Sequence, residues 1–269
     1  MNKYSSSDLY LSLSNLGISR DSVLLVHSGL HTLGGMYKVR NADIPGYIYD
    51  TIIRYIGEKG TLVVPAFFYD YSRKNIPFDL SKSPPCRSLG NFPRYIYENK
   101  NYARSKHPLT SLAAVGYMAD RICNKTNCLD YGIGSAWDEL CKLNATILFL
   151  GVPLSISMTF IHYIEFLVGV PHMYTKLFKT PVTNDGETIT NRISSYVRYL
   201  NFDVNVDQTV LQRDLIDNGI LKTQSIGAGT IQAANCQDIL MFCIEKLVGN
   251  SSYFLKAEPK FEQNKIPLI

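Results

Sequence analysis

Runs of consecutive apolar residues alternate with amphipathic stretches along residues 1–170. Four such runs, at 23–26, 61–64, 112–116 and 145–150, predict buried strands, because a strand covered on both faces has no polar side. Amphipathic helices are predicted at 5–19, 42–56, 91–99 and 117–124, with a further helix capped by Ser135 and another after the turn at 151–153. Short buried strands that alternate with helices are typical of a layered α/β fold with parallel pairing.

The pattern changes after residue 171. Strands are predicted at 178–182, 187–193 and 196–199, with Asn184-Asp185-Gly186 as a hairpin turn, and residues 220–232 predict a second hairpin. Helices are predicted at 207–219 and 235–248, and the tail 249–269 is weakly patterned. Because no repeat and no break in composition divides the chain, we predict one domain over residues 1–269. Its predicted fold is a three-layer α/β/α sandwich with a mostly parallel central sheet and an antiparallel C-terminal addition.

Composition narrows the class of protein. The chain has 269 residues, 46% hydrophobic and 19% charged, with no apolar stretch long enough to span a bilayer and no evident signal peptide. Six cysteines without a close Cys-x-x-Cys pair predict reduced thiols, a cytoplasmic location and no bound metal. The net charge of +4 is too scattered for nucleic-acid binding; it suits an anionic small molecule better than a polycation.

One short stretch carries candidate chemistry. His162 and Glu165 stand three residues apart on a predicted helix and so share a face. A carboxylate in this position can hold an imidazole in one tautomer and stabilise its protonated form, as general-base catalysis requires. The spacing alone is equally compatible with a helix whose polar residues happen to be neighbours.

Two further segments follow predicted strands and could share one cleft with His162. A loop of small and hydroxyl residues occupies 27–35, but it lacks the glycine spacing of dinucleotide-binding and P-loop motifs. Aromatic residues follow the second strand at 67–71, and residues 72–90 are predicted to be a long loop that could cover a site. Arg104, Ser105 and Lys106 beside Pro108 could hold a phosphate or carboxylate, or form a solvated turn.

Several of these segments resemble the aminoglycoside 3-N-acetyltransferase family. Residues 26–34 (VHSGLHTLG) are similar to that family's first signature, and residues 60–65 (GTLVVP) look like its next strand. Similar blocks follow in family order at 104–116, 134–135, 148–152 and 159–165. A weaker similarity is found at 227–229. Three positions depart from the usual pattern: Gly29 replaces a serine, Ala136 a proline and Met158 an asparagine.

The resemblance implies direct transfer of an acetyl group from acetyl-CoA to an amine through a ternary complex, without an acyl-enzyme. His162 matches the family's catalytic base and Glu165 its carboxylate partner. The positions that match segments lining the CoA site are His27, Ser28, Gly29, Leu30, Thr32, Leu33, Arg104, Ser105, His107 and Ser111. The acceptor is expected to contact Phe68, Tyr69, Asp70 and Thr159.

The sequence leaves two classes of acceptor open. The basic charge favours an anionic acceptor, such as a nucleotide-linked amino sugar used for surface glycan, and the alternative is an aminoglycoside antibiotic. An acidic cleft would support the aminoglycoside, whereas a basic or aromatic cleft would support the nucleotide sugar. We expect a small-molecule amine and CoA as partners, no nucleic acid or membrane, and a monomer or homodimer.

Overall fold

The computed structural model describes residues 2–200 and 202–261; residues 262–269 of the predicted tail lie outside the described residues. The strands are β1 (Val23–Ser28), β2 (Thr61–Pro65), β3 (Phe78–Asp79), β4 (Ala103–Arg104), β5 (Leu112–Gly116), β6 (Thr146–Leu150), β7 (Met173–Phe178), β8 (Val182–Asn184), β9 (Glu187–Thr190), β10 (Ile193–Arg198), β11 (Lys222–Ile226) and β12 (Gly229–Asn235). The α-helices are α1 (Ser6–Asn15), α2 (Ile44–Ile56), α3 (Asp70–Lys74), α4 (Asn91–Asn99), α5 (Ala119–Cys123), α6 (Ala136–Lys142), α7 (Leu154–Ser157), α8 (Ile161–Val168), α9 (Thr209–Asp217) and α10 (Cys236–Gly249). Within these ranges, every helix is too short or too polar to cross a membrane.

A seven-stranded sheet forms the centre of the fold, in the order β11-β12-β6-β1-β2-β5-β4. Strand β1 pairs in parallel with β2 and with β6, and the other four pairings in the sheet are antiparallel. Since only β5 and β12 are reversed, five of these seven strands run in one direction. The predicted α/β class and mostly parallel central sheet are confirmed, whereas the division into three layers stays a prediction.

Alternate residues of the central strands face two different clusters of buried side chains. Leu25 and Ile147 belong to one cluster, which also takes in side chains of α5, α6, α8, α9 and α10. Leu24 and Leu148 belong to the other, together with side chains of α1, α2 and α4. Burial on both faces explains why these strands read as continuous apolar runs rather than as alternating patterns.

The strands between α8 and α9 form smaller sheets. Strand β7 pairs antiparallel with β10, and β8 pairs antiparallel with β9 across the predicted turn, where Asp185 and Gly186 have φ values of 50° and 90°. The predicted strand at 178–182 is wrong: residues 179–181 connect β7 to β8, because Pro181 lacks the amide hydrogen that a ladder needs. The second predicted hairpin is confirmed, but β12 joins the central sheet beside β6.

Residues 72–90 contain secondary structure and are not one long loop, whereas the prediction that they cover a site stays a prediction. They contain strand β3 and a short 3₁₀ turn at Arg87–Leu89. Phe78 is completely buried, and Asp79 accepts a hydrogen bond of 2.9 Å from the hydroxyl of Thr183 on β8. The segment has its own buried contacts, which a mobile cover would lack.

A buried arginine holds this segment in place. Arg104 donates to the hydroxyl of Ser111 at 3.0 Å, to the carbonyl of Ala66 at 2.6 Å and to the carbonyl of Ser83. Burial lowers the pKa of Arg104 to about 10, still far above neutral, so its guanidinium is charged. These bonds tie β4 to the end of β2 and to residues 80–83.

Replacing Arg104 with methionine is expected to destabilise the fold. The change leaves buried carbonyls without a donor, which costs about 2–4 kcal/mol in free energy of unfolding. Urea denaturation measures this loss, with Arg87→Met as the matched control because Arg87 is exposed. Equal stability of the two variants would contradict a structural role for Arg104.

Candidate active site

The predicted catalytic pair lies in the first turns of α8. Strand β6 is followed by Gly151, whose φ of 71° is left-handed, and the short helix α7 leads from that turn to α8. Ile161 and Ile164 are fully buried in the core and fix the orientation of the helix. The chain leaves α8 at Gly169, with a φ of 73°.

A single carboxylate joins two histidines here. Nδ1 of His162 lies 2.6 Å from Oε2 of Glu165, and Nε2 of His172 lies 3.0 Å from Oε1 of the same carboxylate. The side chains of Glu165 and His172 are completely buried, whereas that of His162 is 27% exposed. The predicted pairing of His162 with Glu165 therefore exists as a direct contact, and His172 extends it inward.

The charge on Glu165 fixes how the two rings are protonated. Burial opposes its ionisation, but the charge of His162 and the hydrogen bonds from His162 and His172 outweigh burial and lower the pKa of Glu165 to about 2. An ionised carboxylate can only accept, so His162 donates from Nδ1 and His172 from Nε2. In the neutral His162 ring, Nε2 then carries the free lone pair.

A cleft of about 410 Å³ opens beside His162. Its walls come from the end of β2, the segment before β5, the loop before α6, α8, and strands β7 and β10. Aromatic rings dominate these walls: Phe67, Tyr69, Tyr131, Tyr174, Phe178 and Tyr196. The ring of Tyr131 lies 6.3 Å from that of His162, between centroids.

The charged side chains that line this cleft are all basic. Arg73, Lys176 and Arg198 contribute to its walls, and none of the described lining residues is an aspartate or glutamate. The described part of the cleft thus combines positive charge with aromatic surface. It is not the acidic surface that a polycationic ligand calls for.

Two of the four predicted acceptor residues line the cleft. Tyr69 and Thr159 do so together with His162. Phe68 instead packs in a separate cluster with Phe78, at 5.8 Å between ring centroids. Asp70 pairs with a lysine one turn on, at 3.2 Å on the surface of α3, so its carboxylate is engaged there.

The first two predicted cofactor residues lie at the end of β1 and have polar atoms without a protein partner. The ring of His27 is buried and stacks on Phe149 at 5.7 Å, and burial lowers the pKa of His27 to about 4. Among the described residues, neither Nε2 of His27 nor the hydroxyl oxygen of Ser28 has a hydrogen-bond partner. Such buried polar atoms are uncommon and mark a place where a ligand can bind.

The rest of this loop packs against the turn after β6. The hydroxyl of Thr32 donates to the carbonyls of Gly29 and Gly151, and Leu33 is buried. A Cβ at Gly29 would lie 2.9 Å from the carbonyl oxygen of Gly151, which explains glycine where the family usually has serine. Leu30 lines a second cavity of about 410 Å³, which is separate from the cleft beside His162. The other residues that line this cavity are Lys3, His31, Gly34, Gly35, Asn41, Ile44, Pro45 and Asn91.

The remaining predicted cofactor residues are buried and engaged inside the protein: Arg104, Ser105, His107 and Ser111. His107 contacts the hydroxyl of Thr110 at 3.0 Å through Nδ1 and the carbonyl of Ser194 at 3.1 Å through Nε2. Ser111 donates to the carbonyl of Ser105 at 3.1 Å. Their geometry does not offer a phosphate site; this block instead supports the cleft wall at Thr110.

The sequence analysis missed several residues that complete the site. His172 follows Val170-Pro171 in a segment with no motif, and only the fold brings it to Glu165. Lys176 and Arg198 belong to strands whose pairing places Lys176 opposite Ser195 and Arg198 opposite Met173. The alternating polar residues of β7 were a usable signal, but the direction in which they face depends on the strand register.

Curated relatives match this chain over most of its length, at low sequence identity. The chain is 24% identical over 255 residues to aminoglycoside N(3)-acetyltransferase VII of Streptomyces paromomycinus, covering 86% of each chain. It is 26% identical over 251 residues to aminoglycoside N(3)-acetyltransferase IV of a Salmonella species, covering 93% of this chain and 89% of the relative.

Solved structures share the fold. The structure of AAC-IIIb with CoASH matches with a TM-score of 0.77 and 21% identity, covering 95% of this chain and 99% of that one. A mutant of AAC(3)-IVa in complex with a gentamicin matches with a TM-score of 0.77 and 22% identity, covering 96% of this chain and 93% of that one. These likenesses establish the architecture of the chain.

The family follows from a match over most of the chain. Residues 25–248 match the family model described as aminoglycoside 3-N-acetyltransferase. That range includes the loop after β1, the cleft, and all three members of the His162–Glu165–His172 cluster. The chain belongs to the aminoglycoside 3-N-acetyltransferase family and is an N-acetyltransferase.

Proposed function

We propose that this chain, as one domain over residues 1–269, acetylates the amine of an amino sugar with His162 as the general base. The observation that carries the proposal is the His162–Glu165 contact of 2.6 Å on the wall of an open cleft. It holds Nδ1–H and leaves Nε2 free to accept a proton. At neutral pH an amine is mostly protonated, so a base of this kind is suited to freeing its lone pair.

Acetyl-CoA supplies the activated acetyl thioester, and the chain supplies the base. The neutral form of the amine attacks the acetyl carbon, and the proton that its nitrogen then loses passes to Nε2 of His162. The carbon–sulfur bond breaks, and CoA leaves as a thiolate that takes up a proton to become the free thiol. Glu165 stabilises the imidazolium that forms, because its buried carboxylate is ionised and adjacent. His172 holds the second carboxylate oxygen and so keeps the first oriented toward His162.

We place CoA along the loop after β1. The unpartnered hydroxyl of Ser28, the unpartnered Nε2 of His27 and the cavity beside Leu30 support this position. Gly29 lets the loop approach the turn that leads toward His162, which would bring a bound thioester near the base. In this proposal Arg104 and the residues around it shape the site without touching CoA.

Two acceptor classes are candidates. The names of the curated relatives and the gentamicin-bound structure support an aminoglycoside, which makes antibiotic resistance a direct expectation. The basic and aromatic cleft supports an amino sugar linked to a nucleotide, such as one used for surface glycan. In both cases Tyr69 and Thr159 are proposed to contact the acceptor beside His162.

Release of free thiol from acetyl-CoA separates the two classes. The assay compares aminoglycosides with nucleotide-linked amino sugars at several salt concentrations, because attraction between opposite charges weakens as salt is added. Resistance of bacteria that express the chain gives an independent readout for aminoglycosides. Absence of turnover with every amine would contradict acetyl transfer itself.

Replacing His162 with glutamine is expected to lower kcat about a hundredfold to ten-thousandfold, because the proton of the amine loses its acceptor. Calorimetric binding of CoA serves as the control and is expected to be unchanged, since CoA is placed on another loop. Unchanged turnover in the variant would rule out His162 as the base.

Replacing Glu165 with glutamine is expected to change how stability depends on pH. The pKa of Glu165 falls from 4.5 to about 2 on folding, so its ionisation stabilises the fold above pH 4.5, and this contribution is lost as pH falls toward 2. Urea denaturation from pH 7 to pH 2 should show wild type more stable by about 3 kcal/mol at neutral pH, with the difference shrinking below pH 4.5.

The matched control for that series is Glu98→Gln, because Glu98 forms an exposed pair with Arg94 on α4. Its difference from wild type should be small at every pH. A difference between wild type and Glu165→Gln that does not vary with pH would contradict the buried, ionised state of Glu165.

A further inference from the structure

The cleft beside His162 carries positive charge that the proposed general-base step does not use. Lys176 and Arg198 line it from the paired strands β7 and β10, and Arg73 lines it from α3. We propose that Lys176 and Arg198, with Arg73 beside them, bind a phosphate or diphosphate group of the acceptor. This inference rests on the proposed function and narrows its acceptor to an amine on a phosphorylated or nucleotide-linked sugar.

The strand register orders the two central cations relative to the base. Arg198 pairs with Met173, the residue after His172, and therefore lies at the end of β7 nearest to Glu165. Lys176 is three residues further along β7, about 10 Å away along the strand, so its side chain projects from the opposite face of the paired strands. An anionic group bound by Lys176 would be set apart from the amine at His162, as a sugar between phosphate and amine requires.

The charges of this set are not neutralised by the protein. Among the ion pairs of the described residues, none involves Arg73, Lys176 or Arg198. The guanidinium of Arg73 lies over the ring of Tyr69 at 5.0 Å, and the ammonium of Lys176 over that of Phe178 at 5.4 Å. These contacts orient the two cations but leave their hydrogen-bond donors for a ligand. The guanidinium of Arg198 donates from Nη1 to the carbonyl of Val204 at 3.4 Å, which leaves its other N–H groups for a ligand.

Carboxylates do lie behind the wall of the cleft, and they are already engaged. Asp130 is buried and accepts hydrogen bonds from the hydroxyl of Ser195 at 2.9 Å and from the amide of Tyr131 at 2.8 Å. Ser195 is the residue opposite Lys176, so this carboxylate sits close behind the cation. Glu165 is occupied by its two histidines. Neither acid is among the residues that line the cleft.

The resulting charge arrangement discriminates between ligands. A phosphate gains charge-assisted hydrogen bonds from lysine and arginine in a partly desolvated cleft. A molecule with several ammonium groups meets cations and finds no carboxylate on the described cleft surface, which disfavours its binding. Nearby rings such as Tyr69 offer a surface on which a nucleobase can stack.

Direct binding tests the subsite without depending on turnover. The probes are uridine diphosphate and inorganic pyrophosphate, titrated by calorimetry into the protein saturated with CoA. We expect both to bind, with an affinity that falls as salt rises. Lys176→Met and Arg198→Met should each weaken binding about tenfold, since each removes one charged donor. The matched control is Lys179→Met, an exposed lysine that does not line the cleft.

The affinity of the variants for CoA shows whether Lys176 and Arg198 bind a phosphate of CoA or a phosphate of the acceptor. If Lys176→Met and Arg198→Met weaken CoA and leave the two probes unchanged, the cations belong to the CoA site and the proposal is overturned. Failure of both probes to bind the CoA-saturated protein also overturns it. Urea denaturation confirms that each variant is folded.

The proposed phosphate subsite and the proposed base can be contradicted by different results. His162→Gln should lose turnover and keep its affinity for uridine diphosphate, because His162 is not among the three cations. Normal acetylation of an aminoglycoside by wild type and by Lys176→Met, without turnover of any nucleotide-linked amino sugar, would leave His162 in place as the base and overturn the phosphate-bearing acceptor.

Discussion

The site depends on a carboxylate that is fully buried between two imidazole rings. Removing Glu165 from water costs several kcal/mol, and the hydrogen bonds and charges of His162 and His172 offset that cost. The arrangement requires the chain to turn back directly after α8, which Gly169 permits with its left-handed φ. Because β7 begins at the residue after His172, the same contact also sets where the strand that bears Lys176 starts.

Close backbone contact joins the two halves of the site. The loop after β1 touches the turn after β6 because Gly29 and Gly151 have no side chains to separate them. Because β1 and β6 pair in parallel, their carboxyl ends lie at the same end of the sheet, where ligands of α/β folds commonly bind. The loop on which we place CoA and the helix that carries the proposed base therefore lie at the same end of the sheet.

The motifs that resemble the family and the charges that line the cleft lie in different parts of the chain. The segments that resemble the family lie mostly before residue 166 and build the sheet, the first loop and the catalytic pair. The charges of the cleft come from Arg73, Lys176 and Arg198, outside those segments. A chain can thus keep the acetyl-transfer machinery while the strands after α8 present a different surface to the acceptor.

The sequence by itself determined the buried central strands, the hairpin at Asp185-Gly186 and the placement of His162 and Glu165 on one helical face, because each depends on local periodicity or turn chemistry. Tertiary structure decided that Arg104 and His107 are internal supports, since their partners lie far away in the sequence. It also decided that His172 completes the carboxylate cluster and that the cleft is basic. Those contacts depend on strand register and packing, which residue spacing does not encode.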